Sequence, residues 1–373
     1  MKVAVVGGIA GSLVTFRGEM LRSMAAHGHE VLALAPESDP VVRETLESMG
    51  VAYQTARIYR TGTSPLRDGA TVISLARRFR AFRPDAVLAY TAKPVIYGSI
   101  AARLTGVPVR AAMITGVGSG FAGGPGLRPR TLALVLRRLY RIGLRQAHIV
   151  FFQNPDDERL FRSMGLVGDR NRVVRINGSG VDLDRFLPAP LPPPPITFLM
   201  IARLLREKGV WEFAEAALRV RRAHPEARFQ LLGPLDSNPT AITPRQLEEL
   251  QDVGVVEYLG STADVRPFLA RAHVCVLPSY YGEGVPHTLL EAMAMGRALL
   301  TTDAPGCRET VEVGRNGLLV RQRDAADLAE GMLRLLAVPE QLELMGRQSR
   351  IIAEERFDVQ SVNRVILATM GLG

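Results

Sequence analysis

Glu283 and Glu291 stand eight residues apart in the stretch YGEGVPHTLLEAMAMGRALLTT, residues 281–302, with a glycine-rich turn between them. The spacing predicts a loop over 282–286 that enters a helix from about 287 to 295, and Gly296 supplies the stop expected just past a helix end. Such a loop presents backbone N–H groups and the positive end of a helix dipole, a seat for phosphate oxygens. An ionised glutamate accepts hydrogen bonds and donates none, so a carboxylate at each end suits a ligand that also carries hydroxyls. A nucleotide sugar has both features. Arg203 and Lys208, in RLLREKG, lie five positions apart at the end of a predicted strand and can clamp a diphosphate. One offers a planar fork and the other a compact charge. The bland alternative for the pair is a solvated strand end. Only three lysines (Lys2, Lys93 and Lys208) stand among 46 basic residues, so a lysine in this loop marks a position that wants a point charge. The same argument flags Lys93 in TAKP.

The elements that must position these groups are read from size and pattern. A chain of 373 residues exceeds one ordinary core and predicts two domains. Apolar content of 47% with 22% charged residues is that of a soluble globular protein. No apolar run is long enough for a spanning helix, and the short, Gly-broken start MKVAVVGGIAGS reads as a first strand and not a signal peptide. Two cysteines, Cys275 and Cys307, make neither a disulfide framework nor a metal cluster, so a cytoplasmic setting is expected. The charge is uneven. Residues 1–190 carry 26 Lys and Arg against 14 Asp and Glu, while the remainder carries 20 against 23. A basic half can face nucleic acid or an anionic membrane.

The first half alternates strands and helices. A strand over 3–6 runs into Gly7, Gly8 and Gly11, then a helix over 12–27 and a strand over 31–35 complete a βαβ unit. Its turn sits at the sheet edge where ligands bind in such folds. The dinucleotide fingerprint G-x-G-x-x-G is not met. Helices over 41–49, 69–82 and 97–105 are expected between strands 52–55, 86–90 and 109–114. The run TGVGSGFAGGPG, residues 115–126, reads as a mobile binding loop. The basic amphipathic helix expected over 128–145 suits a membrane surface, the alternative being one buried side and solvated arginines on the other. Asp182 and Asp184 form a D-x-D that reads as a turn and not a metal site. PAPLPPPP, residues 188–195, predicts an extended linker, after which a second α/β series begins with a strand over 196–201. The expected limits are an acceptor-side Rossmann-like domain 1–187, the linker 188–195, a donor-binding Rossmann-like domain 196–356, and a C-terminal helix in 357–373 packing back on the first domain. Two doubly wound α/β domains so joined would face a cleft.

ARLLREKG, LGSTADVRPFLARAHVCVLPS, EGVPHTLLEAMAMG and GRNGLLV resemble the donor half of family 4 glycosyltransferases, retaining enzymes of the two-domain GT-B fold, and INGSGVDLDRF resembles the end of that family's first domain. TAKPVIYGSIAARLTGVP, MITGVGSGF and DAPGCRETV resemble the subgroup acting on polyprenyl-diphosphate-linked sugars, whose best-known member type adds N-acetylgalactosamine to an undecaprenyl-diphosphate-linked sugar. The resemblance implies that Arg203 and Lys208 hold the donor diphosphate and that Glu283 contacts hydroxyls of the transferred sugar. It assigns the ribose hydroxyls to Glu291, and sugar and phosphate contacts to the backbone of Gly284, Val285, Pro286, His287, Thr288 and Leu289. Tyr258, Leu259 and Gly260 fall where the base is seated, and Gly7 and Gly8 would face the diphosphate from across the cleft. Arg17, Lys93, Tyr97, Thr115 and Gly116 are the acceptor-side candidates. Many members carry a His where this chain has Thr115, so no side chain presents itself as a general base. The implied donor is a UDP-sugar, with no metal or other cofactor, and the implied acceptor is a polyprenyl-diphosphate-linked saccharide. The implied setting is peripheral, on the inner face of the membrane, with no nucleic-acid partner. Competing readings are a GT-B-fold sugar-nucleotide epimerase, a transferase with a soluble acceptor, a dehydrogenase, and a non-catalytic binder of polysaccharide or nucleic acid.

Overall fold

The computed structural model describes residues 1–59, 62, 64–118, 127–236, 238 and 240–373, without the side chains of 127–130. The chain divides into two compact units, Met1–Gly180 with Val359–Gly373, and Val181–Asp358. The first unit is built on β1 (Lys2–Val6), β2 (Glu30–Ala35), β3 (Val51–Thr55), β4 (Ala86–Tyr90), β5 (Val109–Ile114), β6 (Ile149–Phe152) and β7 (Arg172–Arg175). They form one parallel sheet in the order β3-β2-β1-β4-β5-β6-β7. The second unit has β8 (Thr197–Ile201), β9 (Arg228–Leu232), β10 (Val256–Tyr258), β11 (Val274–Leu277), β12 (Ala298–Thr302) and β13 (Gly317–Val320), in the parallel order β10-β9-β8-β11-β12-β13. Both are doubly wound α/β sheets, as the alternating pattern predicts. The central strands β1, β4, β8, β11 and β12 are almost wholly buried, which is why they read as continuous apolar runs and not as alternating ones.

The structure departs from the expected elements at positions that matter below. The helix expected over 12–27 is two helices, Ala10–Thr15 and Gly18–Ala26. Arg17 leaves the helical conformation between them, and its guanidinium lies 5.1 Å from the centre of the Tyr90 ring. The helix expected over 97–105 is preceded by a π-helical turn, Pro94–Gly98, and the α-helix proper is Ser99–Leu104. Gly143 of the basic helix Leu127–Leu144 lies against this turn so closely that a Cβ there would come 2.7 Å from Ile96 Cα. Of the glycine-rich run 115–126, residues 119–126 lie outside the described residues. Asp182 Oδ1 accepts from the amides of Asp184 and Arg185 at 3.0 and 2.9 Å, an Asx-type turn.

The division between the units falls before Val181, not at residue 187, and the proline run is no free connector. Arg297, fully buried, donates from Nη2 to the carbonyls of Ala189 and Pro190 at 2.8 and 3.2 Å. His273 Nε2 donates to Pro192 O at 3.0 Å. Residues 188–195 are thus strapped to the second unit, because buried Arg and His donors need the carbonyls that an extended proline segment leaves unpaired. The last helix, Val359–Met370, returns to the first unit and packs on Gly18–Ala26.

His273 makes this strap sensitive to acid. Its Nδ1 accepts from Thr197 N at 3.1 Å while Nε2 donates, so the ring is neutral. Burial first, and Arg297 after it, hold its pKa below the ordinary value. The unfolded chain therefore takes up the proton first as pH falls, and stability present above about pH 6.5 is lost below it. The urea midpoint is expected to fall between pH 7 and pH 5, and His273→Gln to flatten that fall. An equal fall in the variant would acquit His273.

Candidate functional site

In each unit the sheet order reverses between two central strands, β1 and β4 in the first and β8 and β11 in the second. Connections leave such a pair toward opposite sides, so the carboxyl ends stand beside an open crevice. The candidate residues come from the loops at these two places.

In the second unit, β11 ends in Pro278 and Ser279 and passes through the glycine turn into the helix His287–Ala294. The residue before the helix is Pro286, and no side chain caps it. Its dipole end therefore faces the loop without an anionic cap. β8 leads to Arg203 and then to the tight turn Arg206–Lys208. The two loops are tied together. Tyr280 N and Tyr281 N donate to Glu207 O at 2.9 and 3.1 Å, and Lys208 Nζ pairs with Glu283 Oε1. Both of those side chains are only 12% exposed, so the pair is held in a low-dielectric setting where loss of either partner strands a charge. Lys208 also lies 5.4 Å from the centre of the Tyr281 ring.

Several residues that the sequence reading passed over position this pair. Ser279, fully buried, places Oγ 3.0 Å from Glu283 Oε1 and accepts from Tyr281 N at 3.2 Å. Thr302 Oγ1 donates to Ser279 O, and Thr301 Oγ1 to Leu277 O at 2.6 Å. Gly209 (φ 85°) and Gly306 (φ 83°) press on the loops from either side: a Cβ would come 2.3 Å from Pro278 O and from Gly284 O, respectively. Only glycine meets both the positive φ and the close approach. Cys307 follows, fully buried, its thiol pushed up to about 12 by burial and then by Glu283, which keeps it protonated and inert.

Arg203 does not stand alone. Its Nη1 is 2.9 Å from Asp236 Oδ2, and Asp236 Oδ1 accepts from Asn238 N at 2.8 Å. The signal that could have found Asp236 is its place in GPLDSN, directly after β9, the strand next to β8. Glu291, 8% exposed, is paired with His287 Nδ1 at 3.0 Å, one helical turn back. Tyr258, Leu259 and Gly260 end β10 beside Gly233: Tyr258 Oη donates to Gly233 O at 2.9 Å, and Gly233 N to Gly260 O at 2.8 Å.

In the first unit, Gly7 and Gly8 turn tightly over the end of β4. A Cβ at Gly7 would meet Tyr90 Oη at 2.4 Å, and one at Gly8 would meet Thr91 Oγ1 at 2.6 Å. Tyr90 Oη is 2.8 Å from Ser12 Oγ, and Arg17, 2% exposed, covers the ring. Burial lowers that guanidinium to about 10. Lys93 pairs with Asp68 and lies over the Tyr97 ring, while Thr115 and Gly116 (φ 109°) end the next strand, β5. Lys93 and Tyr97 are thus one cluster, Arg17 belongs to another around Tyr90, and Asp68 is an addition from Pro65–Phe82.

A family model described as "Glycosyl transferases group 1" matches residues 195–338, and one described as "Glycosyl transferase 4-like domain" matches 11–178. A relative from Campylobacter jejuni, named N,N'-diacetylbacillosaminyl-diphospho-undecaprenol alpha-1,3-N-acetylgalactosaminyltransferase, is 29% identical over 358 residues, covering 92% of this chain and 91% of its own. Among solved structures, a sucrose-phosphate synthase from Thermosynechococcus elongatus superposes with a TM-score of 0.82 at 18% identity, over 99% of this chain and 98% of that one. Anabaena HepE in complex with UDP-glucose does so with a TM-score of 0.78 at 18% identity, over 100% and 99%.

Proposed function

We propose that this chain, which belongs to the retaining family 4 glycosyltransferases of GT-B fold and uses a nucleotide sugar, moves a hexose or N-acetylhexosamine from a UDP-linked donor to a polyprenyl-diphosphate-linked saccharide. The observation that carries the donor half is the Lys208–Glu283 pair in front of the uncapped helix His287–Ala294. An ammonium has three donors, and the carboxylate uses one, so a diphosphate can take the others without breaking the pair. Glu283 serves a hydroxyl of the transferred sugar. Arg203 adds a fork for the same diphosphate, and Glu291 serves the ribose hydroxyls. The backbone from Gly284 to Leu289 serves the sugar and phosphates. Tyr258 to Gly260 seat the base. The nucleotide is taken from HepE, solved with UDP-glucose, and the lipid-linked acceptor from the name of the Campylobacter relative.

In this reading the bond from the anomeric carbon to the diphosphate oxygen breaks as the bond to the acceptor oxygen forms on the same face. The acceptor proton passes to the released diphosphate, so no side-chain base is needed at Thr115. Charge builds on the leaving oxygens, and Arg203, Lys208 and the helix N-terminus stabilise it. These cations do the work a metal would do elsewhere, and we propose that none is required.

We also propose peripheral contact with an anionic membrane through Leu127–Leu144. Leu134, Val135 and Ile142 are exposed on the same helix as Arg138 and Arg145, whereas Arg137 and Arg141 donate to Met164 O at 3.3 and 2.9 Å. No helix of the described residues is long and apolar enough to cross a membrane.

Purified protein given a panel of nucleotide sugars and a polyprenyl-diphosphate-linked sugar should release UDP and form a longer lipid-linked glycan; release without an acceptor product would point to hydrolysis or epimerisation instead. Lys208→Ala and Glu283→Ala should each lower turnover by about 100-fold or more in protein whose melting curve shows it folded. Near-normal turnover would remove that residue from the site. Turnover should withstand EDTA, and its abolition would reinstate a metal. Vesicles containing phosphatidylglycerol should bind the protein, pure phosphatidylcholine should not, and Arg138→Glu with Arg145→Glu should weaken binding by about tenfold or more. Equal binding to both vesicle types would dismiss the electrostatic contact.

A further inference from the structure

The end of β4 carries polar side chains that the donor chemistry leaves unused. Thr91 has φ 68°, a conformation costly for a β-branched residue, and its buried Oγ1 has no hydrogen-bond partner. Strain of this kind persists mainly at ligand clamps and active sites. The π-helical turn Pro94–Gly98 follows at once, a rare element that also gathers at functional sites. It delivers Tyr97, 4% exposed, whose hydroxyl makes no hydrogen bond of normal geometry. Burial, and after it the Asp68 carboxylate, raise the Tyr97 pKa, so the hydroxyl stays protonated. Lys93 Nζ pairs with Asp68 Oδ1 and lies 5.3 Å from the centre of the Tyr97 ring. These two side chains are 12% and 10% exposed and form the edge of the cluster that solvent reaches.

The cluster is therefore neutral overall and rich in both donors and acceptors. Lys93 retains two N–H groups, Asp68 a second oxygen, and Thr91 and Tyr97 their hydroxyls. A phosphate would use the donors of Lys93, Thr91 and Tyr97 but bring none to the second Asp68 oxygen. Sugar hydroxyls both donate and accept, and they need no net charge. Gly8 completes the picture: a side chain there would have to sit on Thr91 Oγ1. The place is the sheet-order reversal of the first unit, where ligands of such folds bind.

We propose that Asp68, Thr91, Lys93 and Tyr97 form a carbohydrate subsite that receives ring hydroxyls of the acceptor's terminal sugar. This rests on the acceptor side of the reading above, and it adds the ligand chemistry and two residues, Asp68 and Thr91, that no motif assigns. The covered hydroxyls of Thr91 and Tyr97 are the groups that gain partners when the sugar enters.

Tyr97→Phe and Thr91→Gly separate this role from a structural one. Thr91→Gly removes a hydroxyl without a hydrogen-bond partner and relieves the strained φ, and Tyr97→Phe removes one that makes no hydrogen bond of normal geometry. Both variants should keep or raise the melting temperature while raising the acceptor KM about fivefold or more, with the donor KM unchanged. An unchanged acceptor KM in both variants, or a rise in donor KM instead, overturns the subsite. The wild type is assayed in parallel with a polyprenyl-diphosphate-linked N-acetylhexosamine and with a free methyl N-acetylhexosaminide. Transfer to the free glycoside alone would discard the lipid-linked acceptor, yet the two variants would still test the subsite on the glycoside. Transfer to neither would discard both. Competition by sugar-free polyprenyl diphosphate as strong as by the sugar-bearing form would assign the cluster to phosphate and overturn the proposal.

Discussion

Parallel strands whose connections leave toward opposite faces cannot cover the gap between their own carboxyl ends. That constraint acts twice in this chain, between β1 and β4 and between β8 and β11. The loops at both gaps carry backbone groups that the sheet no longer pairs, and each must be satisfied locally. In the second unit the solution is one connected network. Thr301 and Thr302 hold the end of β11, Ser279 and Lys208 hold Glu283, and Glu207 O holds the two tyrosine amides. The ion pair is the centre of this network, since burial to 12% exposure makes each charge dependent on the other. A diphosphate bound there as proposed would meet cations already aimed and little left to reorganise.

Much of this was legible in the residues. Strand runs, glycine stops and the alternation of strand with helix dictate two doubly wound sheets, because local pattern and burial agree there. Arg203, Lys208, Glu283 and Glu291 stand out because charged groups at strand ends and helix starts carry few other obligations. Their partners were not legible. Asp236, Asp68 and Ser279 are ordinary in sequence and gain meaning only when strands distant in the chain lie side by side: 33 residues separate Arg203 from Asp236, and 75 separate Lys208 from Glu283. The proline run misled for a related reason. An extended segment with free carbonyls reads as a linker until buried donors such as Arg297 and His273 turn it into a strap.

The local breaks in pattern have a different origin. A helix is expected over 12–27 by periodicity, yet Arg17 interrupts it and buries a guanidinium over Tyr90. Thr91 adopts a left-handed conformation that propensity disfavours, and a π-helical turn replaces the first turn of an α-helix. All three lie around the end of β4. Where several local preferences fail together in an otherwise consistent fold, a requirement other than stability is acting.

The two edges differ in charge, and the difference favours different ligands in the proposed reading. At β8 and β11 there are Arg203 and Lys208 with two carboxylate partners, Asp236 and Glu283, and to these the uncapped helix adds partial positive charge. Arg203 is also 40% exposed, so its pairing is screened and readily exchanged for a phosphate. In the cluster after β4 the Lys93 cation is matched by the Asp68 carboxylate, each about as buried as Lys208 and Glu283, and the other groups are hydroxyls. A diphosphate would gain most at the first edge because exposed Arg203 can exchange its carboxylate partner while the buried Lys208–Glu283 pair stays intact. A neutral sugar gains most at the second, because it can occupy donors and acceptors together while leaving the Lys93–Asp68 pair intact. In the proposed reading, one fold, repeated, sorts a charged substrate from an uncharged one by whether an exposed cation stands beside the buried ion pair.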